Sequence, residues 1–193
     1  MAGRPARRAQ AALAAVPRAR YLPPEIRDHA HLDQALPIGW GSTNSQPWTV
    51  GYMLRLLDPR PGMTVLDVGA GSGWTTDLLA WLVGAEGRVI GTEIIAELVQ
   101  RSRATLRAPN AELRVARPGE LGEPREAPFD RILVSADPQQ LPAELVAQLT
   151  PGGRMVLPVG GRMLIVSVPD AGRVQVHRAP GEFRFVRLVL GHE

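Results

Sequence analysis

Residues 65–76 of this 193-residue chain read VLDVGAGSGWTT, and this stretch decides the fold. Its first four residues predict a short buried strand, and the residues from Trp74 onward predict a helix. Between them lie three glycines, at positions 69, 71 and 73. Glycine tolerates positive φ and lets a ligand approach the backbone, and α/β sheets bind ligands outside the carboxyl ends of their strands. The stretch therefore predicts a nucleoside site, with a merely tight strand-to-helix turn as the alternative.

Three neighbouring residues indicate which nucleoside this site would bind. Glu93 ends the next predicted strand, where a carboxylate can accept hydrogen bonds from ribose hydroxyls. Trp74 stands where the dinucleotide fingerprint GxGxxG needs Gly or Ala, which argues against a pyrophosphate. Asp67, just before the glycines, would suit a ligand that carries an ammonium or sulfonium group. These features favour S-adenosylmethionine over NAD, so a nicotinamide dehydrogenase is the least favoured function.

The order of the predicted elements indicates an α/β fold. Strands at 63–69, 87–93, 111–116 and 129–136 alternate with helical segments, which is typical of βαβ units and a parallel sheet. The last predicted strands lack intervening helices, so at least one pair there is expected to be antiparallel; they are 152–160, 162–168, 173–179 and 181–190, and they follow a helix at 142–149. The expected fold is a Rossmann-like, mostly parallel sheet with helices on both faces and an antiparallel C-terminal part.

The residues before this sheet predict a small helical extension. Helices are expected at 8–16, 23–32 and 47–58, the last opened by Pro47 at its first turn. At the sequence PRPG the predicted elements change from helices alone to alternating strands and helices, which divides the chain into two parts. We predict an N-terminal helical extension at 1–58 and a cofactor-binding core with the C-terminal strands at 59–193.

Composition excludes several classes of protein. There is no cysteine, and the four histidines do not suggest a ligand set, so we expect no metal site. All 22 basic residues are arginine, they are scattered, and the formal charge is only +3, which argues against nucleic-acid binding. No apolar run is long enough for a signal peptide or a membrane span. We expect a cytoplasmic monomer without a membrane partner.

The stretch GWGSTNSQPW, residues 39–48, is too polar for a core strand and too aromatic for a plain linker. Its four small polar side chains, Ser42, Thr43, Asn44 and Ser45, stand between two indoles, and its glycines would let it close as a lid over a bound ligand. The flanking Trp40 and Trp48 could shield such a site, although for Trp48, Trp74 and Trp81 a place in the core is favoured over a place in a pocket. The alternative is a helix cap, with Ser45 as N-cap of the helix that follows.

The sequence resembles the protein-L-isoaspartate O-methyltransferase family along nearly its whole length. Residues 16–47, from VPR through LPIGWGSTNSQP, follow that family's N-terminal patterns in the same order. VLDVGAGSGWTTDLLA, FDRILVSAD, the PGGRMVLPVG segment and FRFVRLV follow the rest of its pattern. The glycine run alone indicates only the wider methyltransferase superfamily, whereas LPIGWGSTNSQP is specific to this family.

The resemblance implies a seven-stranded methyltransferase sheet, S-adenosyl-L-methionine as methyl donor and S-adenosyl-L-homocysteine as product. The implied substrate is the free carboxylate of an L-isoaspartyl, or related aspartyl, residue in a peptide or protein, whose methylation leads to succinimide formation and repair or modification. The implied catalytic residues are Thr43, Asn44 and Ser45, with Ser45 near the transferred methyl. Their hydroxyls and amide could hold the substrate carboxylate without adding a countercharge, and the loop could close over a bound peptide. Substrate contacts are expected at Trp40, Ser42 and Gln46. Cofactor contacts are expected at Asp67, Gly69, Ala70, Gly71, Glu93, Ile94 and Gly119.

The chain also departs from the family pattern. Pro118 replaces an Asp that usually holds the adenine amine, and Glu123 replaces a Trp. Pro118 motivates a second hypothesis, a catalytically degenerate module that binds cofactor or peptide without turnover. A third, a small-molecule O-methyltransferase, would need a pocket closed to peptides. The leading hypothesis is a carboxyl methyltransferase that acts on damaged proteins or on one dedicated peptide.

Overall fold

The computed structural model of the protein describes residues 3–189. A seven-stranded sheet forms its centre, in the spatial order β5-β4-β3-β6-β7-β8-β9. Neighbours are parallel from β5 to β7, and the pairs β7–β8 and β8–β9 are antiparallel. The strands are β3 (Thr64–Val68), β4 (Arg88–Glu93), β5 (Ala111–Val115), β6 (Phe129–Val134), β7 (Leu149–Val159), β8 (Arg162–Ser167) and β9 (Gln175–Ala179). The predicted fold class is confirmed.

The strand order creates a switch point beside β3. The chain runs from β3 outward to β4 and β5, and then returns to place β6 on the other side of β3. The connections after β3 and after β6 therefore leave in opposite directions. A crevice forms at the carboxyl ends of the strands where this occurs, which is the usual ligand site of open α/β sheets.

Apolar side chains of the central strands alternate between the two faces of the sheet, and each face is covered. Val65 packs in one cluster with α1 (Arg4–Ala15), α2 (Pro47–Leu57) and α3 (Trp74–Val83). Leu66 faces the other way and packs in a second cluster that includes Leu145 of α5 (Ala143–Val146). The fourth helix, α4 (Ala96–Thr105), lies against β4 and β5.

The N-terminal region differs from its prediction in detail. Helix α1 begins at Arg4, earlier than expected, because Pro5 fits the first turn. The segment predicted as a helix at 23–32 is a 3₁₀-helix, Pro24–His31, preceded by a shorter one, Arg18–Tyr21. The polar stretch after it is a hairpin of β1 (Leu36–Gly39) and β2 (Ser42–Asn44).

Helix α2 begins at Pro47 as predicted. Ala9 and Ala12 of α1 share a hydrophobic cluster with α2 and with the sheet. The division of the chain after residue 58 stays a prediction.

The C-terminal region contains two corrections. The strand predicted at 181–190 does not form over residues 181–189, where only an isolated bridge joins Arg187 to Asp137; Leu190 lies outside the described residues. The segment crosses the carboxyl end of β6, so it meets one residue there rather than a whole strand. The helix predicted at 142–149 ends at Val146, since Leu149 already pairs with Phe129 in the sheet. Within residues 3–189, no helix is both long and apolar enough to cross a membrane.

Candidate active site

A cleft, called here the main cleft, lies at the carboxyl ends of β3, β4 and β6. Its walls come from distant parts of the chain that the switch point brings together. They consist of residues 40–45, 68–72, 92–95, 116–118, 120–122 and 186–189, together with Trp74, Thr75, Ser135 and Ala136. Of the predicted site residues, all except Asp67, Gln46 and Gly119 line this cleft.

The glycine turn, residues 69–73, contributes residues 69–72 to the wall of the main cleft. All three of its glycines have positive φ, between +54° and +80°. The amides of Gly69 and Ala70 donate to the carbonyl of Thr92 at 2.9 and 3.0 Å. A Cβ on Gly71 would lie 3.3 Å from the Ile38 side chain, which is closer than ordinary contact. Glycine is therefore required both by the backbone conformation and by the packing of the hairpin above.

Glu93 faces the glycine turn from the end of β4 and is buried. One carboxylate oxygen accepts a hydrogen bond from the Gly71 amide at 3.0 Å. The other accepts from the amides of Ile94 and Ile95 at 2.8 and 3.1 Å. A carboxylate has about four acceptor sites, so three backbone donors fix its orientation and leave room for one further donor. Glu93 lines the main cleft, and its contact with a nucleoside stays a prediction.

Asp67 differs from its predicted place in contact with the cofactor. Its side chain has no exposed surface and lies beneath the glycine turn, outside the cleft walls. One carboxylate oxygen accepts from the hydroxyls of Thr75 and Thr76, both at 2.7 Å, while the other has no hydrogen-bond partner. Burial raises the pKa of the Asp67 carboxyl to about 6, and nearby Glu93 adds to the rise, while the two hydroxyls oppose it.

Residues 40–45 of the hydroxyl loop, which is defined here as residues 39–46 and includes the tip of the β1–β2 hairpin, also line the main cleft. Gly39, Trp40 and Gly41 all have positive φ, and Trp40, at +51°, is a bulky residue in a conformation that rarely suits one. The Arg101 guanidinium lies 5.2 Å from the Trp40 ring centroid and donates to the Ile38 carbonyl at 2.5 Å. The tip is thus held over the cleft, where Thr43 and Ser45 also line the wall.

Arg18 anchors the hydroxyl loop from behind, and sequence reasoning missed it. Its buried guanidinium donates to the carbonyls of Asn44 and Ser45 at 2.9 and 3.0 Å, and to those of Leu32 and Gln34 at 3.0 and 2.8 Å. Burial lowers the pKa of Arg18 to about 10, a shift that Asp33 opposes. The VPR pattern contains this residue, but nothing in the pattern indicates that it binds residues 26 and 27 positions away.

Asn44 has a different position from the free catalytic amide that was predicted. Its side-chain oxygen accepts from the Arg18 Nε at 2.7 Å, and its nitrogen donates to the Ser72 hydroxyl at 2.9 Å. The side chain is only 4% exposed. Asn44 therefore joins the hydroxyl loop to the glycine turn, and its amide groups are already engaged in doing so.

The interpretation of Ser45 as a helix cap is wrong. Gln46 is the N-cap of α2, and the cap hydrogen bond comes from Asp33, which accepts from the Trp48 amide at 2.8 Å. Asp33 also accepts from the Gln46 side chain at 3.0 Å, and Thr49 donates to the Gln46 oxygen. Gln46, predicted as a substrate contact, consequently lies outside the main cleft, whereas Ser45 lines it.

The far end of the main cleft is lined by part of the ion-pair loop, residues 116–126. Pro118 lies in the cleft wall, but Gly119, a predicted cofactor contact, does not. Glu123 is buried and pairs with Arg117 at 2.8 Å and with Arg114 at 3.5 Å. A carboxylate thus replaces the family's Trp inside an ion-pair cluster that ties this loop to β5.

Two further parts of the site were not predicted. Ser135, just beyond β6, and residues 186–189 line the main cleft. Of the tryptophans assigned to the core, Trp74 is buried and lines the cleft, but Trp48 and Trp81 are 56% and 46% exposed. A signal for the C-terminal segment existed in FRFVRLV, but it was interpreted as a sheet strand.

The described geometry defines a class of protein. A mostly parallel seven-stranded sheet with a glycine turn after β3 and a carboxylate at the end of β4 is the arrangement of Rossmann-like methyltransferases. The family model for protein-L-isoaspartate(D-aspartate) O-methyltransferase matches residues 4–192. The chain belongs to this family.

Individual relatives agree with this membership. A protein-L-isoaspartate O-methyltransferase from Aeropyrum pernix is 47% identical over 195 residues, covering 96% of this chain and 74% of that protein. The corresponding protein from Methanopyrus kandleri is 43% identical over 185 residues, covering 92% and 81%. The fold is similar to a crystal structure of a Plasmodium falciparum protein of the same family in complex with S-adenosyl-L-homocysteine. That likeness has a TM-score of 0.82 at 25% identity and covers 95% of this chain and 91% of that one.

Proposed function

We propose that the protein transfers a methyl group from S-adenosylmethionine to the free carboxylate of an L-isoaspartyl residue in a peptide or protein. The observation that carries this proposal is the arrangement of the main cleft. The glycine turn and Glu93 line this cleft together with Thr43 and Ser45 of the hydroxyl loop. Membership of the family, and the S-adenosyl-L-homocysteine bound to the Plasmodium falciparum relative, support the same conclusion.

The residues present suit an adenosyl sulfonium compound. The glycine turn presents backbone to the cleft, and the oriented Glu93 carboxylate can accept a ribose hydroxyl. The remaining cofactor contacts would come from Gly69, Ala70, Gly71 and Ile94. Pro118 would lie beside the adenine end of the cofactor. When bound, S-adenosylmethionine supplies a methyl group attached to a positively charged sulfur.

The proposed methyl transfer needs no general base from the chain. A carboxylate with a pKa near 4 is already ionised at neutral pH, so it needs no general base. The hydroxyl loop has to hold that anion in line with the methyl group and to exclude water. Alignment of this kind accounts for roughly 7–11 kcal/mol of barrier lowering in favourable cases. The neutral donors Thr43 and Ser45 can do this without an ion pair that would weaken the nucleophile.

A methyl-transfer assay with labelled S-adenosylmethionine tests the proposal. Matched peptides that differ only in one L-isoaspartyl or one aspartyl residue should be labelled unequally, with strong preference for the isoaspartyl form. Ser45→Ala should lower kcat by about 10-fold or more, since it removes a donor that holds the anion. Ser167→Ala, which changes a β8 serine outside the cleft walls, is the matched control.

The outcomes of this assay separate the hypotheses. No transfer to any isoaspartyl or aspartyl peptide would reject the proposal, and cofactor binding without transfer would support the non-catalytic alternative. We also infer a monomer in the cytoplasm, on the evidence of composition alone. Sedimentation and cell fractionation test those two inferences.

A further inference from the structure

A second cleft, called here the side cleft, adjoins the main cleft. The two share Thr43, Ser45, Ser135 and Val186 as wall residues, so they lie side by side along these residues. Beyond these residues the side cleft is lined by Trp48, by residues 182–185 and by the end of the hydroxyl loop. A polypeptide with its reacting carboxylate beside Ser45 would therefore extend along this cleft.

An aromatic surface, formed by Trp48, Tyr52 and Phe183, borders the side cleft. The Trp48 and Tyr52 rings are stacked with centroids 5.2 Å apart, and Phe183 stacks on both at 6.4 and 5.6 Å. Phe183 is buried, while Trp48 remains 56% exposed. The Trp48 indole is thus the part of this surface that is open to solvent next to the candidate active site, where a ligand side chain can cover it.

The aromatic surface is held in place before any ligand binds. The Tyr52 hydroxyl donates to the Pro180 carbonyl at 3.0 Å, which ties α2 to the segment that carries Phe183. The Trp48 amide is fixed by Asp33 at the start of α2. Binding on such a surface costs little ordering of the protein, which favours affinity.

We propose that the aromatic surface is a subsite for a bulky aromatic or apolar side chain of the substrate, close in sequence to the isoaspartyl residue. This inference rests on the proposed function. Trp48 follows Ser45 by three residues, so their Cα atoms lie within about 11 Å. An extended peptide advances about 3.3 Å per residue, so the recognised side chain lies within about three residues of the isoaspartyl residue.

The chemistry of the surface favours an apolar ligand over a charged one. The nearby side chains Glu182 and Arg184 have opposite charges and both are exposed, and Glu182 already pairs with Arg162 at 3.4 Å. The exposed Arg55 guanidinium lies 4.9 Å from the Tyr52 ring centroid and occupies that side of the surface. The Trp48 indole is therefore the part that remains for a side chain of the substrate. Stacking on an exposed indole favours an aromatic side chain, and aromatic pairs contribute beyond the area they bury.

A peptide series tests the subsite. Isoaspartyl peptides in glycine and serine background carry a single Trp at each position from three before to three after the isoaspartyl residue. At one position or two neighbouring positions, KM should fall about 5-fold relative to the all-glycine peptide, with kcat equal within about twofold. In Trp48→Ala this KM ratio should approach one, and Trp48→Phe should keep part of it. Trp81→Ala removes an indole that is 46% exposed on α3 and lines neither cleft, so it should keep the full ratio.

The results separate this inference from the proposed function. Equal KM values across the series, on a protein that methylates isoaspartyl peptides, would overturn the subsite and leave the activity intact. A preference that survives in Trp48→Ala, or that disappears equally in Trp81→Ala, would also overturn it. Failure to methylate every peptide would instead reject the function on which the inference rests.

Discussion

The glycine turn and the hydroxyl loop both line the main cleft, and they are held in different ways. The glycine turn is fixed by its own backbone and by the end of the neighbouring strand, at Thr92 and Glu93. The hydroxyl loop is fixed by side chains from elsewhere in the chain, chiefly Arg18 and Asp33. Both sets of contacts join residues distant in sequence, since Glu93 is 22 positions from Gly71 and Arg18 is 27 positions from Ser45. The difference is that the glycine turn is held through its backbone and the neighbouring strand, whereas the hydroxyl loop depends on single side chains that can be changed one at a time.

Arg18→Ala should displace the hydroxyl loop and leave the glycine turn in place. The change removes a buried cation and leaves several loop carbonyls without their donor, so we expect a loss of unfolding free energy of about 4 kcal/mol. Because displacement of a positioning group by about 1 Å can cost 10²-fold, kcat should fall by about that factor. Denaturant unfolding and methyl-transfer kinetics measure the two effects. Affinity for S-adenosyl-L-homocysteine, measured by calorimetry, should change less than about threefold.

Two further variants control for this change. Arg20→Ala alters an exposed arginine of the same 3₁₀-helix and should leave stability and kcat unchanged. Arg18→Lys keeps the charge but not the planar fork, so it should fold and still lose most of the kcat. A full-rate Arg18→Lys enzyme would show that charge, rather than the set of hydrogen bonds, matters at this position.

The pH dependence of stability tests whether the Asp67 carboxyl, buried beneath the glycine turn, is ionised. Its pKa is raised in the folded state, to about 6 from an ordinary value near 4, so ionisation opposes folding above pH 6. That penalty, about 3 kcal/mol from the pKa difference, should decline as the pH falls from 6 towards 4. Relative to Asp67→Asn, the wild-type protein should therefore gain stability over this range. Parallel unfolding curves of the two proteins between pH 4 and pH 8 would contradict the raised pKa.

The same comparison explains what sequence reasoning could predict. The sheet, the glycine turn and the place of Glu93 follow from local patterns, because a strand, its turn and its helix are adjacent in the chain. The hydroxyl loop was predicted by composition and by resemblance, but its supports were not. Arg18 and Asp33 are ordinary surface-type residues in the sequence, and only the folded chain brings them behind the loop.

The errors have the same origin. Asp67 was expected in the cleft because it precedes the glycines, yet both faces of β3 are covered, so residues 65–68 are all buried whatever their charge. The segment 181–189 has the alternation of a strand but lies where a single residue, Asp137, is available to pair. Trp48 looked like a core residue by composition, and its exposure follows from the orientation of α2.

Glu93→Gln should weaken the cofactor wall alone. The carboxylate accepts three backbone amides, and an amide nitrogen in place of one oxygen would face a donor instead of accepting from it. We expect affinity for S-adenosyl-L-homocysteine to fall about 30-fold, or about 2 kcal/mol, as measured by calorimetry. Glu97→Gln, an exposed carboxylate in the first turn of α4, is the control. Unchanged affinity in Glu93→Gln would remove this residue from the cofactor site.

The smallest expected effect concerns the cap of α2, which the helix-cap interpretation of the sequence assigned to Ser45 and the structure assigns to Asp33. Because the Asp33 carboxylate accepts from the Trp48 amide at the start of α2, Asp33→Ala should lower the free energy of unfolding by about 1 kcal/mol, which is typical for loss of an N-cap. Ser45→Ala should then change stability by no more than about 0.5 kcal/mol while still lowering kcat, because Ser45 lines the main cleft and is not the N-cap of α2. Chemical denaturation of both variants decides between the two. Equal destabilisation would mean that Ser45 supports the helix, and loss of activity in Ser45→Ala could then no longer be assigned to contact with the carboxylate.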